Sequence, residues 1–203
     1  MAGPAVTYPT GAGPGSDPPI ASSEAHITFG EGTIARYLVR EQLARLSMPS
    51  DAIGSTDRVE GSIRVGRDGA ILEDVSRIKV DLRTLRSDET RRDGYLNRNT
   101  LESDRFPFAE FVVLSAPGLE RPLPVTGQVT FQLMGDMTIH GVTAPLIWDV
   151  ELFVDDGKAT GQATTSFPFH LFDMEIPNLF FILSVEDNIR LEIDLALDVT
   201  MSY

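Results

Sequence analysis

The sequence predicts an all-β fold, an extended antiparallel β-barrel of about eight strands with one short helical crossover. The first observation is a period of two: along most of the chain, apolar and polar residues alternate as they do on strands that bury one face. The second is the shortness of the connections, since strands joined by short turns run antiparallel. The third is size, because 203 residues with 42% hydrophobic content suit one all-β domain. A two-sheet sandwich with the same number of strands is the main alternative.

Residues 1–25 differ from the rest of the chain. They are rich in proline, glycine and small polar residues and show no periodic pattern. Such a composition is typical of a flexible linker or stalk. This segment either follows an upstream part of a longer chain or is an ordinary disordered start, and both alternatives stay open. The folded domain is expected over residues 26–203.

The domain opens with strands at 27–29 and 33–44. Both faces of the second strand are partly apolar, so its register stays open. Residues 41–55 interrupt the pattern and are interpreted as an edge loop.

A β-hairpin is expected next. The alternating run 59–65 is followed by the turn Arg67-Asp68-Gly69 and by a second alternating run over 76–82. An Asp-Gly turn between two such runs is a good hairpin signal. Residues 87–104 then lose the period of two and carry many charges, which favours a helical crossover covering one end of the barrel.

The second half of the domain returns to strands. Alternation over 109–115, 125–133, 146–154, 158–170 and 188–201 predicts five of them. The last is the most regular, with apolar residues on one face and mostly acidic residues on the other. This pattern is typical of an antiparallel sheet with one buried face.

The junction at residues 135–143 is interpreted as a polar turn of nine residues between two of these strands. It contains His140, and a histidine in a turn either performs chemistry or holds the turn closed. A catalytic histidine needs a nucleophile or acid partner and a third group that orients it. The sequence offers no serine elbow and no histidines at metal-binding spacing. We therefore expect a structural His140 whose ring bonds the backbone of the turn, with hydrolase or isomerase action as the enzymatic alternative.

Charge and composition exclude several classes of partner. The chain has 30 acidic and 17 basic residues, a net charge of −13, so its overall field repels nucleic acid and anionic membrane surfaces. It has no cysteine, which excludes disulfides and thiolate metal sites. No apolar run reaches the length of a membrane span, and the N-terminus lacks the pattern of a signal peptide.

Several motifs together resemble those of the YceI-like family over residues 27–200. The most specific is Thr-Ile-His-Gly-Val-Thr at 138–143. The others are Arg92-Asp93 followed by Tyr95-Leu96, Phe106-Pro107 before a strand that contains Phe111, and Phe167 and Phe169 followed by Phe172-Asp173. The family's common histidine after the Arg-Asp pair is Tyr95 here. The resemblance implies an extended lipocalin-like barrel that holds a long isoprenoid chain, such as a polyprenyl quinone or polyprenyl phosphate, in an interior tunnel.

The expected ligand-binding residues are inward-facing apolar positions together with one arginine. A barrel of about eight strands either fills itself with side chains or holds one small ligand, so the residues alone leave both alternatives open. Arg92 either forms a local ion pair or helix cap with Asp93 or meets a quinone oxygen or a phosphate. The expected set is Tyr37, Ile63, Ile78, Val80, Phe111, Val113, Val129, Phe131, Trp148, Val150, Phe167, Phe169, Leu191 and Arg92.

Residues 172–183 form a dense apolar run outside regular strand phase. It is interpreted as a folded-back plug or the start of the last strand, rather than as a lip that exposes Leu179, Phe180 and Phe181 to a ligand or a membrane.

The predicted function is that of a non-enzymatic protein that sequesters or carries an isoprenoid lipid, with no cofactor other than that lipid and with no metal. The alternative is a ligand-free structural or interaction barrel displayed on a flexible stalk. We expect a monomer or a homodimer of bacterial origin. Its expected location is the periplasm or envelope if an upstream signal precedes this sequence, and the cytoplasm otherwise.

Overall fold

The computed structural model describes residues 24–202. The linker predicted for residues 1–25 lies outside the described residues, except for its last two positions, which are part of the first strand. Among the helices of residues 24–202, none combines the length and the apolar composition that crossing a bilayer requires.

Eleven strand segments form a single antiparallel sheet. They are β1 (Glu24–Phe29), β2 (Ile34–Leu43), β3 (Ser50–Thr56), β4 (Val59–Val65), β5 (Arg77–Asp81), β6 (Arg86–Ser87), β7 (Phe108–Ser115), β8 (Thr126–Ile139), β9 (Val142–Asp155), β10 (Lys158–Phe167) and β11 (Ile182–Ser202). One α-helix, α1 (Thr90–Tyr95), continues into a π-helical turn, Leu96–Thr100. Short 3₁₀ turns lie at Glu73–Val75, Leu82–Thr84 and Phe169–Phe172.

The sheet closes into an eight-stranded barrel, as predicted, and not into a sandwich. Strands β4, β5, β7, β8, β9, β10 and β11 follow one another in the sheet, and β1 pairs with both β4 and β11. Strands β2, β3 and β6 pair in that order beyond the first part of β11. Because β1 and β2 run in the same direction along β11, they act as one interrupted strand, and so do β3 with β4 and β5 with β6. The chain is therefore an up-and-down barrel with three kinked N-terminal strands.

The kink between β1 and β2 has a local cause. Four residues, 30–33, separate the two strands. The hydroxyl of Thr33 accepts a hydrogen bond from the N–H of Ala196 and donates one to its carbonyl oxygen, which also accepts from the N–H of Gly30. The ladder to β11 therefore continues across the interruption, at the point where β1 turns towards β4 and β2 towards β3.

The edge loop predicted for residues 41–55 is wrong. Strand β2 continues to Leu43, and Ser50–Thr56 forms β3 against it. The pattern misleads because the buried residues of β3 are small, Ala52, Gly54 and Thr56, whereas the bulky Ile53 faces outward and is 45% exposed. The usual alternation of large apolar and polar residues is thus inverted.

The nine-residue turn predicted for residues 135–143 is also wrong. Strand β8 extends to Ile139 and β9 begins at Val142, so the connection is the two-residue turn His140-Gly141. Both residues have positive φ, 53° and 77°, which matches the twist of a tight hairpin. Gly135 is therefore a residue of β8 and not of the turn. A side chain at this position would collide with the carbonyl oxygen of Val112 on β7, which explains the glycine.

The barrel has two ends that differ in construction. The helical end contains α1, the hairpin 44–49, the turn His140-Gly141 and the segment 168–181. The far end contains the connections 66–76 and 116–125 and the turn between β9 and β10. The helical crossover predicted for residues 87–104 is confirmed at the helical end.

Candidate functional site

The barrel encloses a cavity of about 180 Å³. A buried water needs only about 10–15 Å³ measured in this way, so the space is much larger than an ordinary packing defect. Its wall is formed by inward-facing residues of the strands, by α1 and the π-helical turn, and by residues of the segment before β11.

Twelve of the fourteen expected ligand-binding residues lie on the cavity wall. They are Tyr37, Ile63, Ile78, Val80, Arg92, Phe111, Phe131, Trp148, Val150, Phe167, Phe169 and Leu191. The other two, Val113 and Val129, are buried in the barrel at 0% and 7% exposure but do not reach the wall. Neighbouring side chains therefore fill the space in front of them.

The aromatic part of the wall is ordered by ring contacts. Phe111 and Trp148 meet edge to face with 6.1 Å between ring centroids. Phe167 is in the same kind of contact with the fully buried Phe172 at 4.8 Å. Such contacts hold large rings in place around an open space, because edge-to-face packing is favourable in itself.

A buried ion pair marks the helical end of this cavity. Arg92 of α1 and Glu41 of β2 are only 5% and 4% exposed, and an Nη2 hydrogen of Arg92 bonds Oε1 of Glu41 at 2.5 Å. The other terminal nitrogen of Arg92 donates to Asp88 at 2.8 Å and to the hydroxyl of Ser87 at 3.2 Å.

A local pair between Arg92 and Asp93 does not form. Asp93 instead accepts hydrogen bonds from the N–H and the hydroxyl of Ser87. Two adjacent residues on a helix point in different directions, so each finds its own partner. The cap of α1 is Glu89, whose carboxylate accepts from the N–H of Arg91.

Five buried side-chain polar atoms have no hydrogen-bond partner among residues 24–202. Three of them lie together at the helical end of the cavity wall, the hydroxyl of Tyr37, the Nε of Arg92 and the hydroxyl of Thr100. The other two are Nε2 of His140 and Nε1 of Trp148, and Trp148 also lines the cavity. A buried polar group without a partner costs about 1–3 kcal/mol, so such groups are rare unless water or a ligand satisfies them. The Tyr37 ring lies against Gly54 of β3, where any side chain would collide with it. The fold therefore keeps this ring in place.

The pKa shifts of Tyr37 and Arg92 keep both side chains protonated, so that they remain hydrogen-bond donors. Burial raises the pKa of Tyr37 to about 12, against smaller lowering effects from the neighbouring Arg92 and Ser87, so its hydroxyl keeps its proton. Burial by itself lowers the pKa of Arg92, but its bonds to Asp88 and Glu41 outweigh this effect and raise the pKa. Burial raises the pKa of Glu41, and the hydrogen bond from Arg92 lowers that of Asp88. The charge of Arg92 is thus already balanced by carboxylates.

His140 contacts two other segments of the chain at the helical end. One ring nitrogen, Nδ1, lies 3.4 Å from the carbonyl oxygen of Phe172, and the other, Nε2, lies 3.5 Å from a carboxylate oxygen of Glu102. The ring also meets Phe106 edge to face at 4.9 Å. The predicted bond to the backbone of its own turn is wrong, because the backbone partner belongs to a different segment of the chain.

The surroundings of His140 show no catalytic arrangement. The hydroxyls nearest in sequence, Thr138 and Thr143, bond one another across the hairpin at 2.8 Å. Within residues 24–202, no group of three potential metal ligands occurs.

Two polar residues of the site, Glu41 and Thr100, were not anticipated from the sequence. A signal for Glu41 existed, because it continues the inward phase of Tyr37 and Val39 along β2. A glutamate on a buried face requires a cationic partner. Thr100 lies in the π-helical turn, where no regular period indicates which side chains face inward.

The apolar run at 172–183 combines several of its expected roles. Met174 and Pro177 face the cavity as a plug would, and β11 begins at Ile182. Phe180 and Leu183, in contrast, are 85% and 68% exposed, as a lip would be. Leu179 and Phe181 are half-buried.

Comparisons with known proteins agree with this architecture. A family model described as YceI-like domain matches residues 20–197. A search of curated proteins found no match.

Three solved structures share the fold. A polyisoprenoid binding domain from Saccharophagus degradans, implicated in plant cell wall breakdown, is 11% identical, with a TM-score of 0.65 over 86% of this chain and 98% of that one. BcnA of Burkholderia cenocepacia is 11% identical, with a TM-score of 0.58 over 81% and 95%. A YCEI protein of Campylobacter jejuni is 15% identical, with a TM-score of 0.58 over 76% and 88%.

Proposed function

Because the chain belongs to the YceI-like family, we propose that its barrel binds an isoprenoid lipid, with the prenyl chain in the apolar cavity and a neutral, oxygen-bearing end group at the helical end. One observation carries this proposal: an apolar cavity inside the barrel has, at its helical end, three buried polar atoms that lack hydrogen-bond partners among residues 24–202. A structural relative described as a polyisoprenoid binding domain supports it.

The apolar wall supplies the affinity for the prenyl chain. Each buried methylene-sized group contributes about 0.8 kcal/mol. Phe111, Trp148 and Phe167 offer flat surfaces to a chain whose regularly spaced double bonds each carry a methyl branch. No charge pairing is needed for such binding, and the protein acts as a carrier rather than as an enzyme.

The polar end favours a polyprenyl quinone over a polyprenyl phosphate. A quinone carbonyl is a neutral acceptor, and the hydroxyls of Tyr37 and Thr100 and the Nε hydrogen of Arg92 are donors without partners. A phosphate needs unbalanced positive charge, whereas Arg92 is already bonded to Glu41 and Asp88. Binding a phosphate therefore requires one of these carboxylates to be displaced.

The single tryptophan provides the test, because Trp148 lies on the cavity wall and reports on whatever fills it. Purified protein is extracted with organic solvent, and the extract is searched for prenyl lipids by mass spectrometry. Lipid-free protein is then titrated with a detergent-solubilised prenyl quinone while Trp148 fluorescence is followed. We expect the quinone to quench Trp148 fluorescence in a saturable way and an added prenyl alcohol to compete with it. Absence of both a co-purifying lipid and saturable uptake favours the alternative, a ligand-free structural or interaction barrel.

A further inference from the structure

We infer that the helical end carries a docking surface for a lipid bilayer. The surface consists of the exposed apolar side chains Leu46, Met48, Phe180 and Leu183, which are 43%, 72%, 85% and 68% exposed, and is called the apolar rim below. The inference rests on the proposed function, because it concerns the place where an isoprenoid lipid enters the barrel.

The rim is one surface built from two neighbouring segments. Leu46 and Met48 lie on the hairpin 44–49, and Phe180 and Leu183 lie at the start of β11. The N–H of Ala44 donates to the carbonyl oxygen of Phe181 at 3.0 Å, so the ladder between β2 and β11 joins the two segments.

Further contacts hold both segments in place. The side chain of Gln42 donates to the carbonyl oxygen of Leu46 at 2.6 Å, which closes the hairpin. The N–H of Asn178 donates to the hydroxyl of Tyr95 at 3.4 Å, which ties the second segment to α1. The exposed side chains therefore stand on an ordered base.

The rim borders the cavity. Pro177 and Ile182, from the segment that carries Phe180, face the interior. On the outside, Phe180 and Phe181 line a groove of about 240 Å³ together with Arg92, which also lines the cavity. An isoprenoid chain leaving a bilayer at the rim thus has a short path to the polar end of the cavity.

The charge of the rim differs from that of the whole protein. The chain has a net charge of −13, but residues 44–49 and 176–183 contain no aspartate or glutamate, and their single charged residue is Arg45. Arg91 lies beside the rim in the same groove. The acids that border the rim are Asp88, paired with Arg92, Glu89, which caps α1, and the exposed Glu175 just before the second segment. The rim itself is therefore an apolar face without acidic side chains in this acidic protein.

The chemistry of the rim fits the interfacial region of a bilayer. A large aromatic ring, a leucine and a methionine next to arginines match the residues that insert at the boundary between acyl chains and headgroups. Soluble proteins usually cover large apolar surfaces, and an exposed one often marks a site of interaction with a membrane or another protein. A carrier that takes its ligand from a bilayer needs such a surface beside the entrance to its cavity.

Vesicle binding of three proteins tests this inference. They are the unaltered protein, the rim variant Phe180→Ser/Leu183→Ser and the control variant Val125→Ser/Phe153→Ser. The control residues lie towards the far end and are similarly exposed, at 68% and 55%. The vesicles contain phosphatidylcholine with a minor fraction of phosphatidylglycerol and no isoprenoid. Cosedimentation is measured, together with quinone uptake from detergent followed by Trp148 fluorescence.

We expect the unaltered and control proteins to cosediment, and the rim variant to bind vesicles about tenfold more weakly, because two inserting side chains are lost. Quinone uptake from detergent should be equal in all three. Equal vesicle binding by the rim variant, or no binding by the unaltered protein, overturns the inference while leaving the proposed function intact. Loss of quinone uptake in the rim variant also overturns it, because the rim would then belong to the ligand site. A concentration-dependent dimer that the rim variant abolishes, without vesicle binding, would assign the rim to a second copy of the chain instead.

Discussion

Two buried hydroxyls at opposite ends of the barrel, those of Ser76 and Thr100, differ in their hydrogen bonding. At the far end, the hydroxyl of Ser76 is completely buried, accepts a hydrogen bond from the N–H of Arg64 at 3.0 Å and donates one to its carbonyl oxygen at 3.3 Å. At the helical end, the hydroxyl of Thr100 is just as inaccessible, at 2% exposure, and has no partner among residues 24–202. The hydroxyl of Ser76 is thus satisfied within the fold, whereas that of Thr100, on the cavity wall, is available to a ligand.

The lining of the cavity also changes along the barrel. Towards the far end the wall is apolar, and Val65 and Ile71 contribute to it. At the helical end the wall includes the buried ion pair of Arg92 and Glu41 and the π-helical turn with Thr100. The cavity thus combines an apolar part with one polar end.

The largest effect is expected from breaking the buried ion pair at the helical end. Arg92→Met leaves the carboxylate of Glu41 buried without a partner, which lowers the free energy of unfolding by about 3–5 kcal/mol. Urea denaturation measures this change. The matched control is the double variant Glu41→Leu/Arg92→Met, which should recover most of the loss because no unpaired charge remains. A single variant within about 1 kcal/mol of the unaltered protein would show that the pair contributes little.

The two buried hydroxyls give the sharpest comparison between the ends. Ser76→Ala removes the partner of the Arg64 N–H, whereas the carbonyl oxygen of Arg64 keeps its hydrogen bond from the N–H of Leu72 at 2.9 Å. The variant should lower the free energy of unfolding by about 1–3 kcal/mol. Thr100→Val, which removes a hydroxyl that bonds nothing in the described protein, should leave stability unchanged or raise it. Chemical denaturation of the two variants and the unaltered protein measures the two changes in the free energy of unfolding. If Thr100→Val destabilises as much as Ser76→Ala, the two ends do not differ in the way described.

The smallest effect concerns affinity alone. Tyr37→Phe removes one donor from the polar end, which should weaken prenyl quinone binding about five- to tenfold, the value of one ordinary hydrogen bond. Stability should change little. Because burial raises the pKa of Tyr37 to about 12, its hydroxyl stays protonated well above neutral pH, and affinity should be flat between pH 6 and pH 9. Fluorescence titrations across that range measure both effects, and an unchanged affinity in the variant would exclude Tyr37 as a donor to the ligand.

The sequence was most informative where strands bury large side chains on one face. The alternation along β9 and β11 correctly predicts which residues face inward, because Trp148, Val150, Ile189 and Ile193 are all buried. It failed on β3, where Gly54 makes room for the Tyr37 ring instead of filling the interior itself. Local sequence patterns cannot show that a small residue on one strand leaves space for a large side chain of the neighbouring strand.

The polar end of the site was predicted only in part. Arg92 was among the expected residues, but its partner Glu41 lies on β2, far away in sequence, and only the closed sheet brings the two together. The cavity was expected only from the resemblance to the YceI-like family, because the inward-facing residues alone left open whether the barrel is filled. Whether inward-facing side chains fill a barrel depends on how residues from all the strands meet across it, and no segment contains that information alone.

A crystal structure of the protein with a short-chain prenyl quinone would locate both parts of the ligand. We expect the isoprenoid chain along Phe111 and Trp148, and a quinone oxygen within about 3 Å of the hydroxyl of Tyr37 or Thr100 or of Nε of Arg92. A quinone ring at the far end, or a ligand bound outside the barrel while the cavity stays empty, would contradict this expectation.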